Sequence, residues 1–277
     1  MTSLQDTDNG KVFTTQFTSW KKSVASVLNA TNLAERLNPG QQILIKPNLV
    51  EALDPPITTP VEVVGALIDY LRSLATDFHI IIGEGCGSLA YDTYHVFKTL
   101  GYTDLAEEKK VTLLDLNDVD LVKKKDANCC RWPEMYLPQI GYDSFLISVP
   151  VLKAHSLAGV TLTMKNMMGL APPAHYQQGG HWKKASFHQG IQEAVFNLNQ
   201  YRTPDFTLLD ATIGMQEAHL WGPTCDPPAN RIAAGFDPVA IDSYGCTLLG
   251  KDWQSIGHLR MAHTMLGMAE PLTVVEV

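Results

Sequence analysis

This sequence of 277 residues is notable first for what it lacks. No C-x-x-C pair occurs among Cys86, Cys129, Cys130, Cys225 and Cys246. That removes the spacing an iron–sulfur cluster or a structural zinc site held by one chain would need. Of the five, only Cys86, between glycines, has a setting that suggests exposure at a site. No apolar run approaches the ~18 residues of a membrane span. The start MTSLQDTDNG is too polar for a signal peptide, so a soluble cytoplasmic protein with reduced thiols is expected. Positive charge is scarce as well. With a net charge of −8, nothing points to a nucleic-acid surface, and Lys123-Lys124-Lys125 and Lys183-Lys184 read as solvated faces. The turn GEGCG (83–87) lacks the G-x-G-x-x-G order of a dinucleotide site. Its glycines read instead as places where backbone approaches a ligand or another segment.

What is present is a large supply of core: 45% of residues are hydrophobic against 18% charged, enough for a sizeable buried interior. Residues 1–12 show no pattern and are expected to be disordered. Residues 17–37 carry apolar positions at helical spacing. Strands are expected at Gln42–Asn48, His79–Gly85, Val111–Asp115, Phe145–Val149, Asp205–Asp210, Arg231–Gly235 and Leu272–Val275. Helices alternate with them. One should open at Thr59 as N-cap with Pro60 at the first turn and run to about Ala75. Another follows the Asp237-Pro238 pair. Residues 117–141 read as a peripheral excursion with a hairpin. The fold class is therefore α/β, with a largely parallel sheet flanked by helices, as one domain over 1–277 or two closely joined lobes.

Ligands of open α/β sheets sit at the carboxyl ends of the strands. There the sequence places Lys46 and Asn48, Glu84, Asp115, Lys153 with His155, and Asp210. The stretch from Asp143 to Leu170 is the most informative. A buried apolar strand gives way within a few residues to Lys153, His155, Lys165 and Asn166, embedded among apolar neighbours. Buried ammonium and amide groups need partners or shifted pKa values. The segment 171–188, APPAHYQQGGHWKKASFH, has no period and reads as a lid over the same crevice.

The pieces ILIKPNLV with TTP, IIIGEG, SVPVLKAHSLAGVTLTMKNMMG, LLDATIGM with WGP, and AAGFDPVAIDSYG resemble the family called domain of unknown function 362, over roughly residues 43–250. Members often carry a ferredoxin-like cluster segment, which this chain lacks. A remoter similarity is to the nickel-pincer lactate racemase family. His155, Lys165 ten residues on and His181 sixteen further stand at that family's spacings for an acid/base histidine, a cofactor-bearing lysine and a nickel-ligand histidine. The sequence departs from that family at Glu84-Gly85-Cys86, where its second acid/base histidine would fall, and at Lys46-Pro47-Asn48, in place of its D-x-T-R-P.

These readings imply an enzyme acting by acid/base chemistry on a small anionic substrate, a carboxylate or hydroxy acid. His155 would be the general acid/base and Glu84 a second proton-transfer group. Lys46, Asn48, Lys153, Asn166 and Asp210 would hold the substrate. Lys165 would form a covalent link or act as an electrostatic clamp, or else snorkel along an apolar helix. His181 and His188, with His175 and Asp210 or Glu217 as further donors, would hold a nickel, zinc or iron ion, and the racemase resemblance implies a metal–nucleotide cofactor. The alternative is a non-catalytic protein that binds an anionic metabolite or hands over a cofactor.

Overall fold

Ordered structure begins earlier than the sequence pattern suggests. The structure, a computed structural model, describes residues 8–74 and 76–277. Residues 1–7 of the stretch expected to be disordered lie outside that range, but β1 (Lys11–Gln16) falls inside it. Its partners are remote in sequence, which is why a local pattern does not reveal it. Then come α1 (Trp20–Ala30), β2 (Gln42–Pro47), α2 (Val61–Ser73), β3 (His79–Glu84), α3 (Thr93–Thr99), α4 (Tyr102–Lys109) and β4 (Thr112–Asp115). The N-cap of α2 is Pro60, not Thr59. The Thr59 hydroxyl turns inward instead, accepting from the Asn48 N–H at 2.8 Å and donating to the Val149 carbonyl at 2.7 Å. The last residue of α2 is Ser73, and Ala75 lies outside the described residues.

The excursion is a separate two-stranded antiparallel sheet of β5 (Leu121–Lys125) and β6 (Glu134–Pro138). After α5 (Ile140–Asp143), the chain forms β7 (Phe145–Val149), β8 (Val151–His155), β9 (Gly159–Thr161) and α6 (Thr163–Asn166). The rest comprises α7 (Pro173–Tyr176), α8 (Ile191–Tyr201), β10 (Phe206–Met215), β11 (Arg231–Gly235), α9 (Pro238–Leu248), α10 (Gly257–Ala262) and β12 (Thr273–Glu276).

The main sheet has the order β12-β1-β11-β10-β7-β2-β3-β4, with β8 continuing beside β10 and β9 beside β8. From β10 to β4 every pairing is parallel, while β11 runs antiparallel to both neighbours. Ile43 and Ile45 of β2 face one apolar cluster and Leu44 the other. A strand covered on both faces must be apolar at every position, which is the reason these strands were readable as continuous runs.

Candidate active site

Strand order sets the place of the site. From β2 the chain moves outward to β3 and β4, then crosses back to put β7 and β10 on the other side. The order thus reverses between β2 and β7, and such a reversal opens a crevice at the carboxyl ends. At those ends stand Lys46, the last residue but one of β2, Asn48 just beyond it, and Glu84, the last residue of β3. Across Pro150, β7 leads into β8, which carries Lys153 and His155.

A closed polar network forms the floor. Lys46 Nζ donates to Glu84 Oε2 at 2.8 Å, to Asn166 Oδ1 at 3.1 Å and to the Pro47 carbonyl at 3.1 Å. Asn48 Nδ2 donates to the same Asn166 oxygen at 3.0 Å, and Lys153 Nζ donates to Asn48 Oδ1 at 2.8 Å and to the Ile57 carbonyl. Glu84 has no oxygen to spare: Oε2 also accepts the Leu49 N–H at 3.1 Å and Oε1 the Gly85 N–H at 2.8 Å. Burial lowers the Lys46 pKa while Glu84 beside it pulls the other way. Lys153 has no carboxylate within hydrogen-bond reach. Burial and the charge of Lys165 hold it well below the lysine range.

Over this floor lies a cavity of about 280 Å³, close to the lower end of the ~300–1,000 Å³ usual for small-molecule sites. Lys165 reaches it from α6, whose first N–H groups, of Thr163 and Met164, are held by the Asp242 carboxylate at 2.7 and 2.9 Å. Among the described residues the Lys165 ammonium has no hydrogen-bond or ion-pair partner. Burial, then Lys46, bring its pKa down to about 8.

The segment 171–188 crosses the cavity and is tied to the turn after β3. The Lys183 N–H donates to the Gly87 carbonyl at 2.8 Å, and Lys183 Nζ reaches the Tyr91 carbonyl at 2.6 Å and Cys86 Sγ at 3.2 Å. Trp182, Lys184 and His188 thereby join the cavity wall. Lys184 Nζ donates to Asn117 Oδ1, and burial lowers its pKa to about 7. Two glycines permit this crowding. A Cβ on Gly169 would lie 1.9 Å from Glu84 Oε1 and 2.6 Å from Lys46 Nζ, and one on Gly85 would lie 2.4 Å from the Gly169 carbonyl.

His155 differs from its expected role. Its Nδ1 accepts the N–H groups of Leu157 and Ala158, both at 3.1 Å, so the neutral ring carries its proton on Nε2. Burial first, then Lys165 and His219, hold its pKa far below the ordinary imidazole value. A general acid/base poised near neutral pH is therefore not what this ring is at rest. It is a fixed neutral donor, stacked on His219 at 3.8 Å between ring centres.

Of the residues singled out from the sequence, Asn48, Glu84, Lys153, His155, Lys165 and Asn166 border one cavity. Lys46 lies one layer behind them. Asp210 is not at the cavity, because β10 runs on past it to Met215 and its Oδ1 accepts the Thr212 N–H. His188 borders the cavity but His181 is exposed and outside it. Among the described residues no group of three His, Cys, Asp or Glu side chains could hold a metal ion. The described residues thus do not fit a nickel, zinc or iron ion held by three or more protein side chains. Cys86 is buried, its N–H donating to Thr93 Oγ1. Lys184, expected on a solvated face, is instead buried at the cavity, and His219 borders it without having been marked in the sequence; both sit on aperiodic loops.

The fold and the cavity together define an α/β protein with a lysine-rich site at the switch of strand order. The chain belongs to the family described as Domain of unknown function (DUF362), whose model matches residues 43–247. No curated protein matches it. Among solved structures it is similar to the lactate racemase apoprotein from Thermoanaerobacterium thermosaccharolyticum, at 14% identity and a TM-score of 0.49. That similarity covers 92% of this chain and 59% of the other, so the chain spans less than two thirds of that protein. Among the described residues no helix is long and apolar enough to cross a membrane.

Proposed function

We propose that this protein is an enzyme that moves a proton on a small carboxylate-bearing substrate, a hydroxy or oxo acid. The observation that carries this is the pairing of Lys165 and Lys184 on one cavity whose only carboxylate among the described residues, Glu84, is already taken up by Lys46 and backbone N–H groups. Amines at about 8 and about 7 are divided between base and acid forms near neutral pH, the condition that proton transfer requires. The charged form of either, together with the Nε2–H of His155, can hold a carboxylate. Glu84 then serves as counter-ion, not as a second base.

The experiment is loss in heavy water of the C–H signal on the carbon next to the carbonyl of 2-oxo acids, or on the hydroxyl-bearing carbon of 2-hydroxy acids, followed by proton NMR over a panel of both. We expect exchange with at least one acid, falling about 10²–10⁴-fold in Lys165→Met. Binding of acids without any exchange would instead favour the second reading, a carrier of anionic metabolites.

A further inference from the structure

We infer that the preferred ligand has an apolar, aromatic-sized body attached to its carboxylate, an assignment that rests on the reading above and narrows it. The wall of the cavity is graded with depth. The polar end is fully buried: Lys153 is 0% exposed, Asn166 2% and His155 4%. The other wall is apolar, and three separate loops build it. The turn between β8 and β9 contributes Leu157, the crossing segment contributes Trp182, and the loop after β10 contributes Leu220. Leu157 is 57% exposed, although it borders an enclosed site.

Leu220 is buried and serves the core, but neither the fold nor the floor chemistry accounts for the other two side chains. The backbone around Leu157 serves His155, whose Nδ1 takes the Leu157 N–H, but the leucine itself is largely exposed. Trp182 is joined to Ser88 through backbone alone. A three-carbon acid held at the lysines would leave this wall wet. A ligand with a phenyl or branched alkyl group would cover it, releasing water from Leu157 and Trp182 together.

The test is calorimetric titration of the full chain with lactate, 3-phenyllactate and the neutral 3-phenylpropan-1-ol. We expect 3-phenyllactate to bind at least about tenfold more tightly than lactate, as burial of one ring suggests. Trp182→Ala should close most of that gap, by weakening 3-phenyllactate far more than lactate. Leu157→Ser, at an exposed position with no consequence for folding, should narrow it in the same direction. Equal affinity for the two acids overturns the inference and leaves the proposed function standing. Binding of neither acid, or acid binding that Lys165→Met does not weaken, overturns the proposed function and this inference with it.

Discussion

Buried charge sits at both ends of the parallel strands, and the two ends treat it differently. At the amino ends, just before β7 and β10, Arg202 is buried and every N–H of its guanidinium is used. Nε donates to the Gly141 carbonyl at 2.6 Å, and the two terminal nitrogens donate to the carbonyls of Thr203 and Ser144 and to both Asp205 oxygens. At the carboxyl ends, Lys46 is equally closed, but Lys153 has only neutral acceptors, Lys184 a single amide oxygen, and Lys165 none among the described residues. A buried cation with every donor satisfied holds segments together. A series of lysines progressively short of acceptors, arranged around a cavity, leaves donors unsatisfied there, and on that difference the proposed carboxylate site rests.

The largest effect should come from the closed end. Arg202→Ala takes the buried cation away from Asp205 and from the carbonyls of Gly141, Ser144 and Thr203 and should cost about 3–5 kcal/mol, the usual penalty for breaking a buried pair. A urea denaturation curve measures it, and the folded fraction should bind acids as before. A cost below ~1 kcal/mol, on the scale of an exposed pair, would erase the distinction between the two ends.

The floor of the site allows a sharper comparison, since Lys46 and Glu84 are closed like Arg202 yet belong to the cavity. Gly169→Ala forces a methyl against both. Neither can move without leaving the other, so the substitution should cost about 1–3 kcal/mol, typical of overpacking. It should also weaken acid binding, by shifting Asn166 and Asn48 through their shared bonds. A destabilised variant with unaltered binding would show that the floor supports the fold only.

The same contrast explains what the sequence made legible. β2, β3, β7 and β10 were readable because strands buried on both faces are continuously apolar, and their exits delivered Asn48, Glu84, Lys153 and His155 to one place. Asp210 misled because its strand continues to Met215 beside β8, a pairing no local pattern encodes. β1 pairs with β11 and β12, more than two hundred residues away, so nothing in KVFTTQ alone announces it. The places of Lys184 and His219 at the cavity were invisible for a related reason. Their loops have no period, and their course is fixed by contacts such as that from Lys183 to Gly87 and the bridge from Met215 to Thr224. The acids of AAGFDPVAIDSYG prove to be positioning groups. Asp237 caps α9 and takes the N–H groups of Gly10 and Met268, while Asp242 holds the helix that carries Lys165.

The smallest expected effect is a dependence of stability on pH that only the open end should show. Lys165 sits at about 8 in the folded protein against an ordinary value of 10.5. A lysine with a lowered folded pKa binds fewer protons folded than unfolded between those two values, so stability rises with pH across that window. The penalty of holding its charge is full below about pH 8 and is relieved as pH climbs toward 10.5. Lys184, at about 7, adds a contribution of the same sign that begins to be relieved about one unit lower. Lys165→Met removes the first contribution altogether. At pH 7 this variant should therefore melt above the wild type by about 2–4 °C, the shift that ~1 kcal/mol produces in a chain of this size. The gap should shrink as pH is raised through 8 to 10. A bound acid should close it already at pH 7, because the anion supplies the partner that the fold withholds. A gap that stays constant from pH 7 to 10.5 would mean that the lysine is not strained in the empty cavity, and the contrast between closed and open ends would then lose its energetic basis.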